Sequence, residues 1–172
     1  MKAPLSFFCQ LMGFTLGGLF EMPGVPGGKH AFLRMADNSF FSVVELAGID
    51  EIPTTIGITH AGTGAGKCAK GLVQHIAFRV PDEAGLIAMQ SRIRSHGVPA
   101  IGPIGHGFCK SIYFAGPEGL TLEVSYAVSE VDPALWIDPA MLADCGISGE
   151  GAQAMLNPPP CMAQDPVPQP AY

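Results

Sequence analysis

His75, His106, Tyr113 and Glu123 are the side chains of this 172-residue chain whose types and spacing could do chemistry. Glu123 stands in TLEVSY, where Leu120, Leu122, Val124 and Tyr126 alternate with Thr121, Glu123 and Ser125. Successive strand side chains point to opposite faces, so the apolar set packs and the glutamate faces the other way. A carboxylate on a closed apolar face must be paired, protonated or bound to metal. A partner is available in LVQHIAFRV. There Leu72, Ile76, Phe78 and Val80 take the packing face, and Val73, His75, Ala77 and Arg79 take the other. If the two strands share one sheet, His75 and Glu123 line a common cup. Taken singly, His75 reads as a hydrogen-bonded strand histidine and Glu123 as a carboxylate paired with Arg79.

The elements that would hold these residues are legible in turn signals and periodicity. Between residues 106 and 126 a Gly-Pro-Glu-Gly turn joins two runs rich in β-branched and aromatic residues, the pattern of a hairpin. Its first strand puts Ile112 and Phe114 on one face and Ser111, Tyr113 and Ala115 on the other, which places Tyr113 with Glu123. Upstream, Asp82 is a good N-cap for a helix with Leu86, Met89 and Ile93 on one side, and Gly97 closes it. A short strand around Val98 to Ile101 then leads into the loop that carries His106. Residues 72–127 thus read as a complete βαβββ module.

Residues 1–46 read as the same module without its first strand. A helix over residues 4–12 stops at Gly13 and is followed by strands at 14–20, 30–35 and 40–46, the last two joined by a tight turn at 36–39. Residues 47–71 form a flexible linker loop. Its GTGAGK run fails as a phosphate loop, because Ala61 stands where the first Gly is needed and Cys68 where a Ser or Thr is needed. Residues 128–156 form an extension with one short helix around 140–145 and Trp136 packing back, and residues 157–172 a disordered Pro-rich tail.

Composition bounds the function. A chain that is 48% hydrophobic and 14% charged can bury a core, and a net charge of −6 with no basic cluster argues against nucleic acid. The five cysteines are widely spaced and never in a CxxC pair, which fits a reducing cytoplasm without disulfides or a zinc knuckle. The apolar start lacks a small-residue cleavage site and is broken by Gln10 and glycines, so it reads neither as a signal peptide nor as a membrane span.

The order strand with His, helix, Gly, two strands, Pro-x-Gly turn and Glu resembles one module of the vicinal oxygen chelate superfamily, which includes glyoxalases, extradiol dioxygenases, epimerases and antibiotic-resistance proteins. Phe7-Phe8-Cys9-Gln10-Leu11-Met12-Gly13-Phe14 resembles the helix end of a first module in that superfamily, so the chain begins one strand late in the pattern. More narrowly, Ile104-Gly105-His106, Ile112-Tyr113, Pro117-Glu118-Gly119 and Glu123 resemble the extradiol dioxygenase signature, with Gly116 departing from the usual Asp. The resemblance implies an α+β fold of two paired βαβββ modules whose curved mixed sheet surrounds a cup, the first module being N-terminally incomplete.

It also implies His75 and Glu123 as metal ligands, with Fe(II) the first expectation and Mn, Zn or Ni the others. A third ligand belongs to the absent strand; His30 and His60 are the other imidazoles on offer, neither at the motif position. By the same resemblance His106 and Tyr113 are catalytic residues that manage the protons of a catechol-like substrate cleaved with O2. Counting back from the two hairpin turns, Ser42 is the position matching Glu123, and Glu45 lies on the opposite face. That disfavours the four-ligand glyoxalase site. A divalent-metal lyase or isomerase and a non-catalytic small-molecule binding protein are the alternatives. The partners expected are a small aromatic substrate and O2, and exposed sheet edges are compatible with a homodimer.

Overall fold

The computed structural model describes residues 1–160. The chain divides into two compact units, the first spanning Met1–Ser129 and the second beginning at Glu130. The first unit holds a three-stranded antiparallel sheet in the order β1-β2-β3 and a four-stranded mixed sheet in the order β4-β7-β6-β5.

The first sheet is preceded by helix α1 (Lys2–Ser6), which runs straight into a π-helical turn over Phe7–Leu11 closed by Met12 N–H on the Phe7 carbonyl. Strands β1 (Thr15–Glu21), β2 (Lys29–Ala36) and β3 (Ser39–Glu45) follow. Phe8 and Leu11 from the helical turn and Leu33 from β2 are buried together in the core. Phe14 and Phe41 meet Phe78 of the second module edge to face, with ring centroids 5.4 Å and 5.9 Å apart.

The second sheet is built from β4 (Ile76–Arg79), β5 (Ala100–Gly105), β6 (Cys109–Ala115) and β7 (Thr121–Ala127), with helix α2 (Glu83–Ser95) crossing over between β4 and β5. β4 pairs with β7 in parallel, as a helical crossover permits, whereas β6 pairs with β7 as an antiparallel hairpin. Asp82 caps α2 by accepting from Gly85 N–H at 2.8 Å, and Gly97 at φ +77° lets the chain leave it in the left-handed conformation. Leu86 and Ile93 are wholly buried against Ile112, Phe114, Leu122 and Val124. Each such side chain contributes on the order of 1.5–3 kcal/mol by leaving water. Arg92 ties the modules together by donating to the carbonyls of Leu11 and Gln10, both at 2.7 Å, which satisfies acceptors that the end of the first helix leaves open.

Two expected strand boundaries need correction. The His75 strand begins at Ile76 rather than Leu72, leaving Leu72 and Val73 exposed. The reason is that residues 71–74 are bonded to the preceding loop, Leu72 N–H to the Ala69 carbonyl and the Gln74 amide to loop carbonyls, instead of to β7. The strand expected around Val98 to Ile101 runs as β5 to Gly105, with a register break between Ile101 and Ile104. The 47–71 segment is a loop that carries a 3-10 turn at Ile49–Glu51 and an isolated bridge between Ile56 and His60.

The second unit contains α3 (Pro133–Trp136), α4 (Pro139–Asp144) and α5 (Gly149–Leu156), where one helix was expected. Each starts on a side-chain cap, Asp132, Asp138 and Ser148 in turn, which is why three short helices form in a stretch with little periodicity. Trp136 ends α3 half-exposed. The Pro-rich tail expected from residue 157 lies mostly outside the described residues.

Candidate active site

Glu123 lies at the centre of β7, between β4 and β6, opposite Ala77 on one side and Tyr113 on the other. Its neighbours in sequence, Leu122 and Val124, are buried beneath α2. The carboxylate therefore points from the opposite face of the sheet, as strand alternation requires. That face is also closed, since Ser111, Thr121 and Glu123 are all buried. A buried carboxylate needs partners, and Glu123 has two. Oε2 lies 2.9 Å from His75 Nε2, and Oε1 accepts from the Ser111 hydroxyl at 2.5 Å. Arg79, its other candidate partner, is exposed and aligned with Ser125 rather than Glu123.

His75 sits one residue before β4, and its other ring nitrogen, Nδ1, is bonded to the side-chain oxygen of Gln74. The imidazole is thereby held at both nitrogens, the arrangement that fixes a ligating histidine's ring orientation. Tyr113 stands across from Glu123 with its ring edge-on to His75, the centroids 5.9 Å apart. Its hydroxyl is 3.0 Å from Nε2 of His106, which reaches in from the exposed end of β5. Burial, and then the Glu123 charge, push the Tyr113 phenol above its ordinary pKa.

The structure therefore brings all four sequence-predicted residues into one chain of contacts, Glu123 to His75 to Tyr113 to His106. His30 and His60 do not join them. His30 lies on β2 among Phe20 and Phe32, its Nε2 buried without a hydrogen-bond partner among the described residues. The His60 ring rests on the backbone of Gly119 with Nδ1 2.9 Å from the Thr59 hydroxyl. Two residues were missed in the sequence, Ser111 and Gln74. Strand parity had put Ser111 on the Glu123 face, which is a usable signal, whereas Gln74 has none beyond adjacency to His75.

The donor set can be tested against a divalent cation. Two adjacent ligands bonded at 2.0–2.2 Å and at right angles stand about 3 Å apart, and the His75 and Glu123 atoms are 2.9 Å apart. The pair fits as two neighbouring ligands. Among the described residues no group of three or more His, Cys, Asp or Glu side chains converges to hold a metal ion.

The two hairpins share one register. A constant shift of 81 positions carries Ala31 paired with Val43 onto Ile112 paired with Val124, and Phe32 paired with Ser42 onto Tyr113 paired with Glu123. Ser42 is thus the counterpart of Glu123, with no bulge in the paired residues between, and Glu45 is the counterpart of Tyr126.

The family model described as Glyoxalase/Bleomycin resistance protein/Dioxygenase superfamily matches residues 1–124. No curated protein matches the chain. Among solved structures, the chain is similar to a glyoxylase/bleomycin resistance protein/dioxygenase domain from Frankia sp. EAN1pec, with 10% identity over 74% of this chain and 88% of that one and a TM-score of 0.57. It is also similar to a glyoxalase family protein from Enterococcus faecalis, at 20% identity, 73% and 87% coverage and a TM-score of 0.52. A third is the trypanothione-dependent glyoxalase I of Leishmania major, at 15% identity, 85% and 89% coverage and a TM-score of 0.50. At these identities the likeness establishes the fold, and one fold of this kind hosts many chemistries. No helix among the described residues is long and apolar enough to cross a membrane.

Proposed function

The chain belongs to the glyoxalase/bleomycin resistance protein/dioxygenase superfamily, and from that premise we propose that it is an enzyme of the extradiol ring-cleaving type. Its substrate would be a catechol-like aromatic and its metal Fe(II), bound by His75 and Glu123. The observation that carries this reading is the pairing of two functional couples side by side on one face of the second sheet, one around the buried Glu123 and one reaching solvent. His75 and Glu123 present ligand atoms 2.9 Å apart, and Tyr113 and His106 present a hydrogen-bonded hydroxyl and imidazole 3.0 Å apart beside them.

When bound, the divalent ion supplies Lewis acidity to the substrate's two neighbouring oxygens and a path for electrons to O2. The remaining work belongs to side chains of this chain. Ser111 holds one oxygen of the Glu123 carboxylate and leaves the other for ligation. Gln74 holds Nδ1 of His75 and leaves Nε2 facing the carboxylate. Tyr113, kept protonated by burial and by the Glu123 charge, donates to a substrate oxygen or to His106. His106 is exposed and can exchange the proton with water, so the couple forms a two-step path from the buried face to solvent. The absence of a carboxylate at Ser42 supports this arrangement over a site with a second carboxylate from the first module.

The test is oxygen consumption with catechol after loading the protein with Fe(II) under anaerobic conditions. Uptake in the parent, lost in Glu123→Ala and His75→Ala with the fold retained, supports the assignment. Uptake unchanged in Glu123→Ala removes the site.

A second reading is favoured by the count of donors. With two protein ligands in place of three among the described residues, the Glu123 and His75 couple can instead act as a base that moves a proton on a substrate, as in an isomerase or lyase. Turnover that continues without O2, or with Zn(II) in place of Fe(II), selects that reading.

A further inference from the structure

We propose that Gln74 is a positioning residue that latches segment 61–66 over the active site and couples the closure of that segment to the orientation of His75. This rests on the reading of His75 as a ligand of the site. One carboxamide makes every contact involved. Its nitrogen donates to the carbonyls of Thr63, Gly64 and Gly66 at 3.1, 3.2 and 2.9 Å, and its oxygen accepts from His75 Nδ1. An amide offers two N–H donors, so at least one of them is shared between two loop carbonyls, while the amide oxygen is turned to the histidine.

The segment it holds lies on the site itself. The α-carbon of Gly64 rests on the Tyr113 ring so closely that a Cβ there would stand 2.7 Å from Cδ1 and 2.8 Å from Cε1. A Cβ on Gly66 would overlap the carbonyl oxygen of Ala61, whose own side chain is buried. Glycine at both positions is what allows the backbone to lie flat here. No helix or strand fixes residues 61–66, whose recorded backbone bond is the turn from Gly66 N–H to the Thr63 carbonyl at 3.0 Å. A segment with so little regular bonding belongs to the part of a fold that opens first, and here one side chain ties it down. When the latch releases, the Tyr113 ring is uncovered and Nδ1 of His75 loses its acceptor at the same moment.

Two substitutions separate the two halves of the proposal. Gln74→Glu keeps an oxygen for His75 but turns a carboxylate toward three carbonyls, and Gln74→Leu removes both interactions. Amide exchange is measured by mass spectrometry on the metal-free protein, with α2 peptides as the folding control. Residues 60–68 are expected to exchange about tenfold faster or more in both variants, with α2 unchanged. Gly64→Ala, which retains Gln74, gives the same local acceleration by pushing the segment off Tyr113. Co(II) titration then reads the histidine: Gln74→Leu weakens binding by about 10- to 100-fold, and Gln74→Glu stays within a few-fold of the parent. Unchanged exchange at 60–68 in both Gln74 variants overturns the latch. Equal Co(II) affinity in parent and Gln74→Leu overturns the positioning of His75. If Co(II) binds none of the proteins, the ligand reading and the coupling to it fail together, while exchange still decides whether Gln74 latches the segment.

Discussion

Ser111 is the residue whose removal tests the site most directly without touching a proposed ligand. Its side chain is wholly buried, and its hydroxyl donates to Glu123 at 2.5 Å. Glu123 is 7% exposed, so water does not replace a lost donor easily. A hydrogen bond to a charged group is worth about 1.5–3 kcal/mol, and an acceptor left buried and unsatisfied adds to the loss. Ser111→Ala is therefore expected to cost about 2–3 kcal/mol. The lower end of that range lowers the folding equilibrium constant about thirtyfold. The assay is urea unfolding at neutral pH, followed by far-ultraviolet circular dichroism and tyrosine fluorescence so that coincidence of the transitions can be checked. The control is the same substitution in a Glu123→Gln background, where the acceptor survives but its charge does not. There the cost should fall to about 1 kcal/mol. A loss below about 0.5 kcal/mol in the parent, or an equal loss in both backgrounds, would refute the account of a buried carboxylate oxygen that depends on the Ser111 hydroxyl.

Three further outcomes follow from the same face and its edge. Tyr113 should ionise above the ordinary tyrosine value of 10.0, because burial first and the Glu123 charge second disfavour its phenolate. Its folded-state pKa is raised, so its contribution to stability is complete below the unfolded value and is lost as pH rises through the folded one. Phenolate absorbance should show a late step that Tyr113→Phe removes and Glu123→Gln brings only partway down; a late step that survives Tyr113→Phe contradicts the assignment. The Thr121 hydroxyl is buried without a hydrogen-bond partner among the described residues, so Thr121→Val should stabilise by about 1 kcal/mol. A loss of similar size in thermal or urea unfolding would mean that the hydroxyl is bonded. Gly116 sits against the core: a Cβ there would stand 2.8 Å from Cδ1 of the fully buried Leu122. Gly116→Asp should cost about 1–3 kcal/mol by overpacking, and a variant within 0.5 kcal/mol of the parent would show that Leu122 has room to move.

The parts of this molecule that were legible in its sequence are those governed by a fixed period. Strand parity alone placed Ser111, Tyr113 and Glu123 on one face and Ile112, Phe114, Leu122 and Val124 on the other, and the register between β6 and β7 is the one that parity requires. The helix bounded by Asp82 and Gly97 was readable because a cap and a left-handed glycine mark its ends. What could not be read depends on side chains meeting backbone. Gln74 binds three carbonyls, and every residue has a carbonyl, so no residue type in the 61–66 segment announces the contact. The same contact delays the start of the strand to Ile76, a boundary that the apolar pattern of Leu72 and Val73 obscured. Helix α5 was missed because GEGAQAML has two glycines in its first turn, and its Ser148 cap is indistinguishable in sequence from a loop serine.

The shared register of the two hairpins allows their faces to be compared position by position. The 81-residue shift sets Ser111, Tyr113, Thr121 and Glu123 against His30, Phe32, Phe40 and Ser42. The backbone frame is the same, so the difference lies in what each face can solvate. In the second hairpin the carboxylate is enclosed and its charge is met by a hydroxyl and an imidazole. In the first, Ser42 is exposed, and the positions around it hold rings in contact with one another, Phe32 stacked on Phe20, tilted against His30 and edge-on to Phe40. A carboxylate at Ser42 would face water and rings, with no Ser111 hydroxyl and no second imidazole at the matching places. At these positions the first hairpin presents an exposed Ser42 among rings, whereas the polar side chains that meet one another, Ser111, Glu123, His75, Tyr113 and His106, are gathered on the second module.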